Sequence, residues 1–240
     1  MTMKLKLLAL GVACVFAQPA AAVALITNGG FESGLTGWTV TDLAASSGSW
    51  FSVSGTSTPL SSGATVGAAG GTSYAVTDQT GPGTHVLTQS FVVPVGATLV
   101  MLAFDMFAND QSGSGGIIDP AGLDHTGSAN QHARVDLLTG LALPFDTGAG
   151  VLANFYLGVD AGANPHPWTS YSFDITSFVT PGSTYQLRFG EVDNQLFFNQ
   201  GVDNVGIEAT TGAVPEPASL ALLGIGLAGL GALRRRKVEV

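Results

Sequence analysis

The chain has 240 residues, with 8 basic and 17 acidic side chains for a formal net charge of −9, 33 glycines and a single cysteine. So few lysines and arginines cannot neutralise a phosphate backbone, which excludes nucleic acid as a partner. One cysteine excludes an internal disulfide.

Residues 1–22 read as a secretory signal. Lys4 and Lys6 precede an apolar run over 7–17, and Ala20, Ala21 and Ala22 offer small side chains to a signal peptidase. Cleavage is placed after Ala22, with Ala24 as the alternative. Cys14 lies within the removed segment, so the exported chain carries no thiol.

Residues 23–212 form the folded domain. Short runs of β-branched and aromatic residues alternate with Gly, Pro and Ser turns, and no stretch carries a long helical period. At most eleven strands are expected, near residues 24–28, 36–41, 50–54, 73–77, 85–93, 97–107, 132–138, 151–156, 171–176, 185–189 and 202–209. Tyr171, Phe173 and Ile175 alternate with Ser172, Asp174 and Thr176, as in a strand with one buried face. The run over 97–107 is apolar on both parities, which predicts a central strand covered on both sides. This density of strands and turns predicts an all-β fold, a two-sheet antiparallel sandwich of jelly-roll type. Two long segments, 55–72 and 108–131, are left as loops.

Residues 213–240 form a separate tail. Pro215, Glu216 and Pro217 lead into 16 apolar or small residues over 218–233, and Arg234, Arg235, Arg236 and Lys237 follow. A single helix over that stretch reaches about 24 Å, a marginal span of a ~30 Å bilayer core. The basic cluster acts as a membrane stop and keeps the extreme C-terminus cytoplasmic. With both ends removed, residues 23–217 retain only Arg134 and Arg188 against sixteen acids, a net charge of −14. Such a surface favours solubility and attracts cations.

The tail resembles the PEP-CTERM sorting signal of Gram-negative bacteria, and Pro215, Glu216 and Pro217 carry the match. The resemblance implies recognition by an exosortase-type membrane protease or transpeptidase. The protein would then pass transiently through the inner membrane and end at the cell surface or in the extracellular matrix.

A second resemblance lies at the two ends of the domain. Asn28, Gly29, Gly30, Phe31 and Glu32 followed by Gly37 and Trp38, and the closing run from Asp203 through Asn204, Val205 and Gly206 to Ile207, are similar to jelly-roll carbohydrate-binding modules. In such modules a structural calcium sits where the first and last strands meet, which makes Glu32 and Asp203 the implied metal ligands. Asp203 shares strand parity with Val205 and Ile207 and is expected to face inward with them. A buried carboxylate then needs a partner, and two arginines are a thin supply.

For polysaccharide binding, a ring must stack on a sugar face. Trp38, Trp50, Trp168 and Tyr156 are the available rings; Trp168, after Pro165 and Pro167, is the one expected at the surface, and Trp38 belongs to the core. The histidines His85, His125, His132 and His166 are dispersed and build no zinc pattern or nucleophile elbow. The domain is therefore read as a non-catalytic, glycan-binding surface or matrix component. The alternatives are a polysaccharide-active enzyme on the same sandwich, or a structural spacer with no specific ligand.

Overall fold

Strands alternate their side chains between two faces, so an apolar set on one face drives two such sheets together. The computed structural model describes residues 21–118, 122–195, 197–212, 224, 226 and 227. Among them the order is β1 (Ala21–Ala24), β2 (Thr39–Asp42), β3 (Ser49–Val53), β4 (Tyr74–Asp78), β5 (Gly83–Val92), β6 (Ala97–Asp110), β7 (Gln131–Thr139), β8 (Val151–Gly158), β9 (Thr169–Asp174), β10 (Thr184–Asp193) and β11 (Phe198–Thr211). One 3₁₀ turn, Thr176–Phe178, separates β9 from β10.

The strands make two sheets. One has the order β3-β4-β11-β6-β9, with β1 also on β11, and the other runs β2-β5-β10-β7-β8. The sequence expectation of a two-sheet antiparallel sandwich holds. Between the sheets lies one apolar core containing Phe31, Trp38, Leu87, Leu102, Phe104, Val135, Leu187, Phe189, Val202 and Ile207. The unit Ala22–Thr211 contains all of it. The sorting motif Pro215, Glu216, Pro217, the basic stop Arg234, Arg235, Arg236, Lys237 and the greater part of the tail helix and of the signal lie outside the described residues. Among the described residues no helix is long and apolar enough to cross a membrane.

Three local readings need correction. The strand expected at 24–28 is β1, Ala21–Ala24; the chain then runs on beside β11, with the Leu25 N–H donating to the Ile207 carbonyl at 2.7 Å. Asn28, at φ 52°, ends the extended path. Next, β6 is not central, because only β9 lies outside it. Its inward side chains Val100, Leu102, Phe104 and Met106 are buried, while on the other face Ala103 is exposed and Phe107 is covered.

The third correction concerns Asp203. Its register partner is Asp105, but Gly206 pairs with Ala103, so β11 carries one extra residue there. Asn204 at φ 50° forms this bulge, and a bulge resets which side chains face inward. Val202 and Val205 both enter the core, and Asp203 points out of it on the side of Asp105.

Loops roof both outer sheet faces. Residues 55–73 lie over β4 and β6, where Ala68 and Trp168 pack on Tyr74, Val76 and Phe107. On the other sheet, Leu123 and Phe145 pack on Val86 and Val192. The two long loops thus act largely as cover for strand faces.

Candidate functional site

The sandwich is open along one side, between β8 at the end of one sheet and β9 at the end of the other. An edge strand exposes its inward side chains to solvent at the rim, and here those side chains are aromatic. Tyr171 and Phe173 come from β9, and Phe155 and Tyr156 from β8. Adjacent residues of a regular strand face opposite ways, yet Phe155 and Tyr156 both pack on the core. The β7–β8 register explains this, since Val135 pairs with Tyr156 and Asp136 with Asn154, leaving Phe155 as an inserted residue.

Ring contacts close the gap between the two sheets. Phe155 and Phe173 lie 4.8 Å apart, Tyr156 meets Tyr171 edge-on at 5.9 Å, and Tyr171 stacks on the buried Phe104 at 5.0 Å. Phe178, from the 3₁₀ turn, extends the row beyond Phe155 at 6.3 Å and is 43% exposed. The result is a half-buried aromatic seam with one open ring at its end.

The other end of the seam is acidic. The Tyr156 hydroxyl donates to Asp160 Oδ1 at 2.8 Å, and Asp160 Oδ2 accepts the Ala108 N–H at 2.7 Å. Burial first, and then the Asp160 charge, push both the Tyr156 and Tyr171 hydroxyls above the ordinary phenol range, so both remain proton donors. Asp160 also lines an open cleft of about 320 Å³ with Asp110, Gly113, Gly115, Val159, Ala161 and Gly162. Aromatic faces beside carboxylate acceptors present the two features that an amphipathic sugar ring requires.

Trp168 occupies a different place. It is half-buried, its ring lies 4.7 Å from Phe107 and 5.5 Å from Tyr74, and its Nε1–H donates to the Gly67 carbonyl at 2.8 Å. Its indole therefore pins the 55–73 loop to the outer face of β6. Trp38 is a core residue, with its Nε1–H on the Asn28 carbonyl at 3.1 Å.

Glu32 and Asp203 both serve the 69–73 segment. Glu32 accepts the Thr72 N–H at 2.7 Å, the Thr72 hydroxyl at 2.6 Å and the Ser73 N–H at 2.9 Å. Asp203 accepts the N–H groups of Ala69 at 2.9 Å, Gly70 at 3.0 Å and Asn204 at 2.7 Å. The Thr72 side chain is the leading cause that lowers the Glu32 pKa. Burial raises that of Asp203 despite its three donors. After these bonds Glu32 Oε2 and Asp203 Oδ1 each keep one lone pair, whereas calcium takes six to eight oxygens. Among the described residues no group of three or more His, Cys, Asp or Glu side chains is arranged to hold a metal.

Neither arginine reaches Asp203, because both converge on Asp136. The Arg134 Nε and Nη2 donate to its two oxygens at 2.7 and 2.9 Å. Arg188 adds Nε and Nη2 at 3.0 and 2.6 Å, and its Nη1 holds the carbonyls of Pro144 and Asp146 at 2.7 and 2.8 Å. This network fastens the 140–150 loop over the sheet. Of the histidines, His125 Nδ1 lies 3.1 Å from the Thr84 hydroxyl. His132 is buried, and burial with the nearby Arg134 pushes it down to about 4, so it is neutral at physiological pH.

The sequence signal for the seam was the alternation of Tyr171 and Phe173 and the isolated Tyr156. What it lacked was the pairing that sets β8 opposite β9.

The two sheets and the C-terminal motif define the class: a β-sandwich domain carried by an exported chain. Residues 213–237 match the PEP-CTERM protein-sorting motif, so the protein is exported and sorted at the membrane through an exosortase-type system. No curated protein sequence matches the chain. Among solved structures, the chain is similar to TmCBM61 in complex with β-1,4-galactotriose, at 12% identity and a TM-score of 0.47 over 77% of this chain and 97% of that one. A Stig cyclase from Fischerella sp. TAU shares 19% identity and a TM-score of 0.47 over 80% and 100%. The K3 adhesin domain of Lys-gingipain from Porphyromonas gingivalis shares 12% and 0.46 over 77% and 97%. The class assignment rests on the sheets themselves.

Proposed function

We propose that the domain is a non-catalytic glycan-binding module, delivered by its C-terminal signal to the cell surface or extracellular polysaccharide matrix of a Gram-negative bacterium. The observation that carries this reading is the aromatic seam ending in Asp160. Along a glycan chain laid on the seam, Phe178 at one end and Tyr171 offer ring faces to pyranoses, and Asp160 with the Tyr156 hydroxyl at the other end offers hydrogen bonds to the hydroxyls of a further sugar. A domain with sixteen acids and two arginines between its processed ends suits a neutral glycan better than an anionic one.

The full chain is tested against immobilised polysaccharides. The expected result is binding that weakens about tenfold in Phe178→Ala, the loss of one stacking contact, with only a small drop in melting temperature because Phe178 stands at the rim and is 43% exposed. Binding that survives Phe178→Ala and is lost in Trp168→Ala moves the site to the 55–73 loop. Turnover of a polysaccharide refutes the non-catalytic reading, and absence of both binding and turnover leaves a structural spacer.

A further inference from the structure

The two ends of the sandwich differ in chemistry. β10 starts at Thr184, whose register partner is Val92 at the end of β5, and Tyr185 faces Thr139 at the end of β7. The turns 93–96 and 140–150 therefore stand at the same end, on either flank of β10 and about 10 Å apart, two strand spacings. The 179–183 segment comes to the same place, with the Val93 N–H on the Ser183 carbonyl at 3.0 Å and the Gly182 N–H on the Val93 carbonyl at 2.7 Å. β11 also finishes here, because Thr211 pairs with Ala97 at the start of β6.

This end is apolar at its tips. Among the described residues of the domain, the four most exposed large apolar side chains are Leu141 at 96%, Val95 at 85%, Leu143 at 73% and Val92 at 56%. All four belong to this end. Single exposed apolar residues are ordinary on a protein surface, whereas the most exposed ones gathered in one place mark a contact surface.

Charge is distributed in the opposite sense. The segments 92–99, 138–145, 175–185 and 209–212 contain no charged side chain. Asp146, further along the 140–150 turn, has its two oxygens on the N–H groups of Gly148 at 2.7 Å and Gly150 at 3.0 Å. Asp174 and Glu208 both pair with Met101, four residues or about 13 Å inward of Ala97. The far end of the sandwich, by contrast, collects Asp42, Asp78, Asp110 and Asp193 at the ends of their strands and Asp124 and Asp160 in its loops.

We infer that the uncharged end, through Leu141, Leu143 and Val95, rests on the outer surface of a lipid bilayer while the sorting tail is attached. The course of the chain favours lipid as the occupant. From Thr211 only six residues, 212–217, lead to the apolar run over 218–233, and six residues reach at most about 20 Å. With that run in the bilayer, the domain cannot leave the membrane surface. A domain with sixteen acids and two arginines is repelled by anionic lipid, but charges in solvent are screened beyond about 8 Å. The end whose tips carry no charge is the one that can approach, and apolar tips gain by entering the boundary between headgroups and acyl chains. Contact there keeps Pro215, Glu216 and Pro217 at the membrane surface, where the sorting system works, and turns the acidic end outward. The inference rests on the tail being a membrane segment and is independent of glycan binding.

The test places single cysteines in the full chain, in a Cys14→Ser background, and labels each with bimane. The labelled chains are reconstituted in vesicles of phosphatidylcholine and phosphatidylglycerol that contain a nitroxide-bearing lipid quencher. The expected result is quenching in Leu141→Cys, Val95→Cys and Ala221→Cys, and none in Ser128→Cys, an exposed position at the acidic end. Adding Leu141→Glu and Leu143→Glu to Val95→Cys should abolish its quenching without lowering the melting temperature, because both leucines already stand in solvent. No quenching in Ala221→Cys removes the tail as a membrane segment and the inference with it. Quenching in Ala221→Cys alone overturns the surface contact and leaves the tail in place. Equal quenching in Ser128→Cys, or quenching in Val95→Cys that survives the two glutamates, also overturns the contact. Labels at 95 and 141 that respond to protein concentration without lipid assign the patch to a second copy of the chain instead.

Discussion

Replacing Asp136 by asparagine tests the interior electrostatics most directly. Asp136 is 0% exposed and receives four guanidinium bonds and one from the Asn154 amide at 2.8 Å. Arg134 and Arg188 share this one carboxylate, so the three side chains taken together carry one net positive charge. Asparagine keeps the shape and leaves two adjacent cations facing a neutral amide that presents a donor to one of them. Removing one partner from a buried ion pair costs about 3 to 5 kcal/mol, and the like-charge contact places Asp136→Asn at the upper end of that range. Arg188→Met is the informative contrast. It leaves Arg134 paired with Asp136 but loses two of the four guanidinium bonds to Asp136 together with those to the Pro144 and Asp146 carbonyls, about 3 kcal/mol, the lower end of the same range. Urea unfolding of both variants gives the comparison. A cost for Asp136→Asn equal to or below that of Arg188→Met refutes the claim that Asp136 is the centre of the network.

Acid sensitivity follows from His132. Its folded-state pKa, about 4, lies below the ordinary 6.5, so the unfolded chain takes the proton first and stability falls as pH drops from 6.5 to 4. The full loss is about 3 kcal/mol; His132→Leu should flatten the stability profile over that window, and parallel profiles for the two proteins would count against it. Gly29→Ala should cost more than about 3 kcal/mol, because its Cβ would stand 1.8 Å from the Val205 carbonyl oxygen, and a variant of wild-type melting temperature contradicts the close approach. Calcium at Glu32 and Asp203 is a separate proposal: each carboxylate keeps one lone pair after its hydrogen bonds, and the rest of a calcium shell has to come from water. Calorimetric titration of the chelator-treated chain should give heat that Asp203→Asn lowers, and no heat, or heat unchanged in Asp203→Asn, ends that proposal.

Much of the fold was legible because strand formation is a local property. Tyr171, Phe173 and Ile175 repeat every second residue, as do Tyr185, Leu187 and Phe189, and glycine or proline separates most of the runs. The opening motif was legible for a related reason. Gly29 and Val205 stand where two backbones touch, with the Val205 N–H on the Gly29 carbonyl at 2.9 Å, and only a residue without a side chain permits that contact. The candidate site was far less legible. Trp168 carries the outward signs of an exposed platform, yet Phe107 and Tyr74, far away in the chain, take up its ring.

The sequence by itself determined the C-terminal sorting motif, the class of secondary structure and the acidic balance of the domain, because composition and period-two alternation act over a few neighbouring residues. Tertiary structure alone decided where each polar group found its partner. One inserted residue at Asn204 turned Asp203 away from the core, and a second at Phe155 turned two consecutive rings into the seam. Both arginines went to Asp136 and neither to Asp203. Bulges and charge pairings depend on which strands lie side by side, and that choice is made by burial of the whole core rather than by any segment of it.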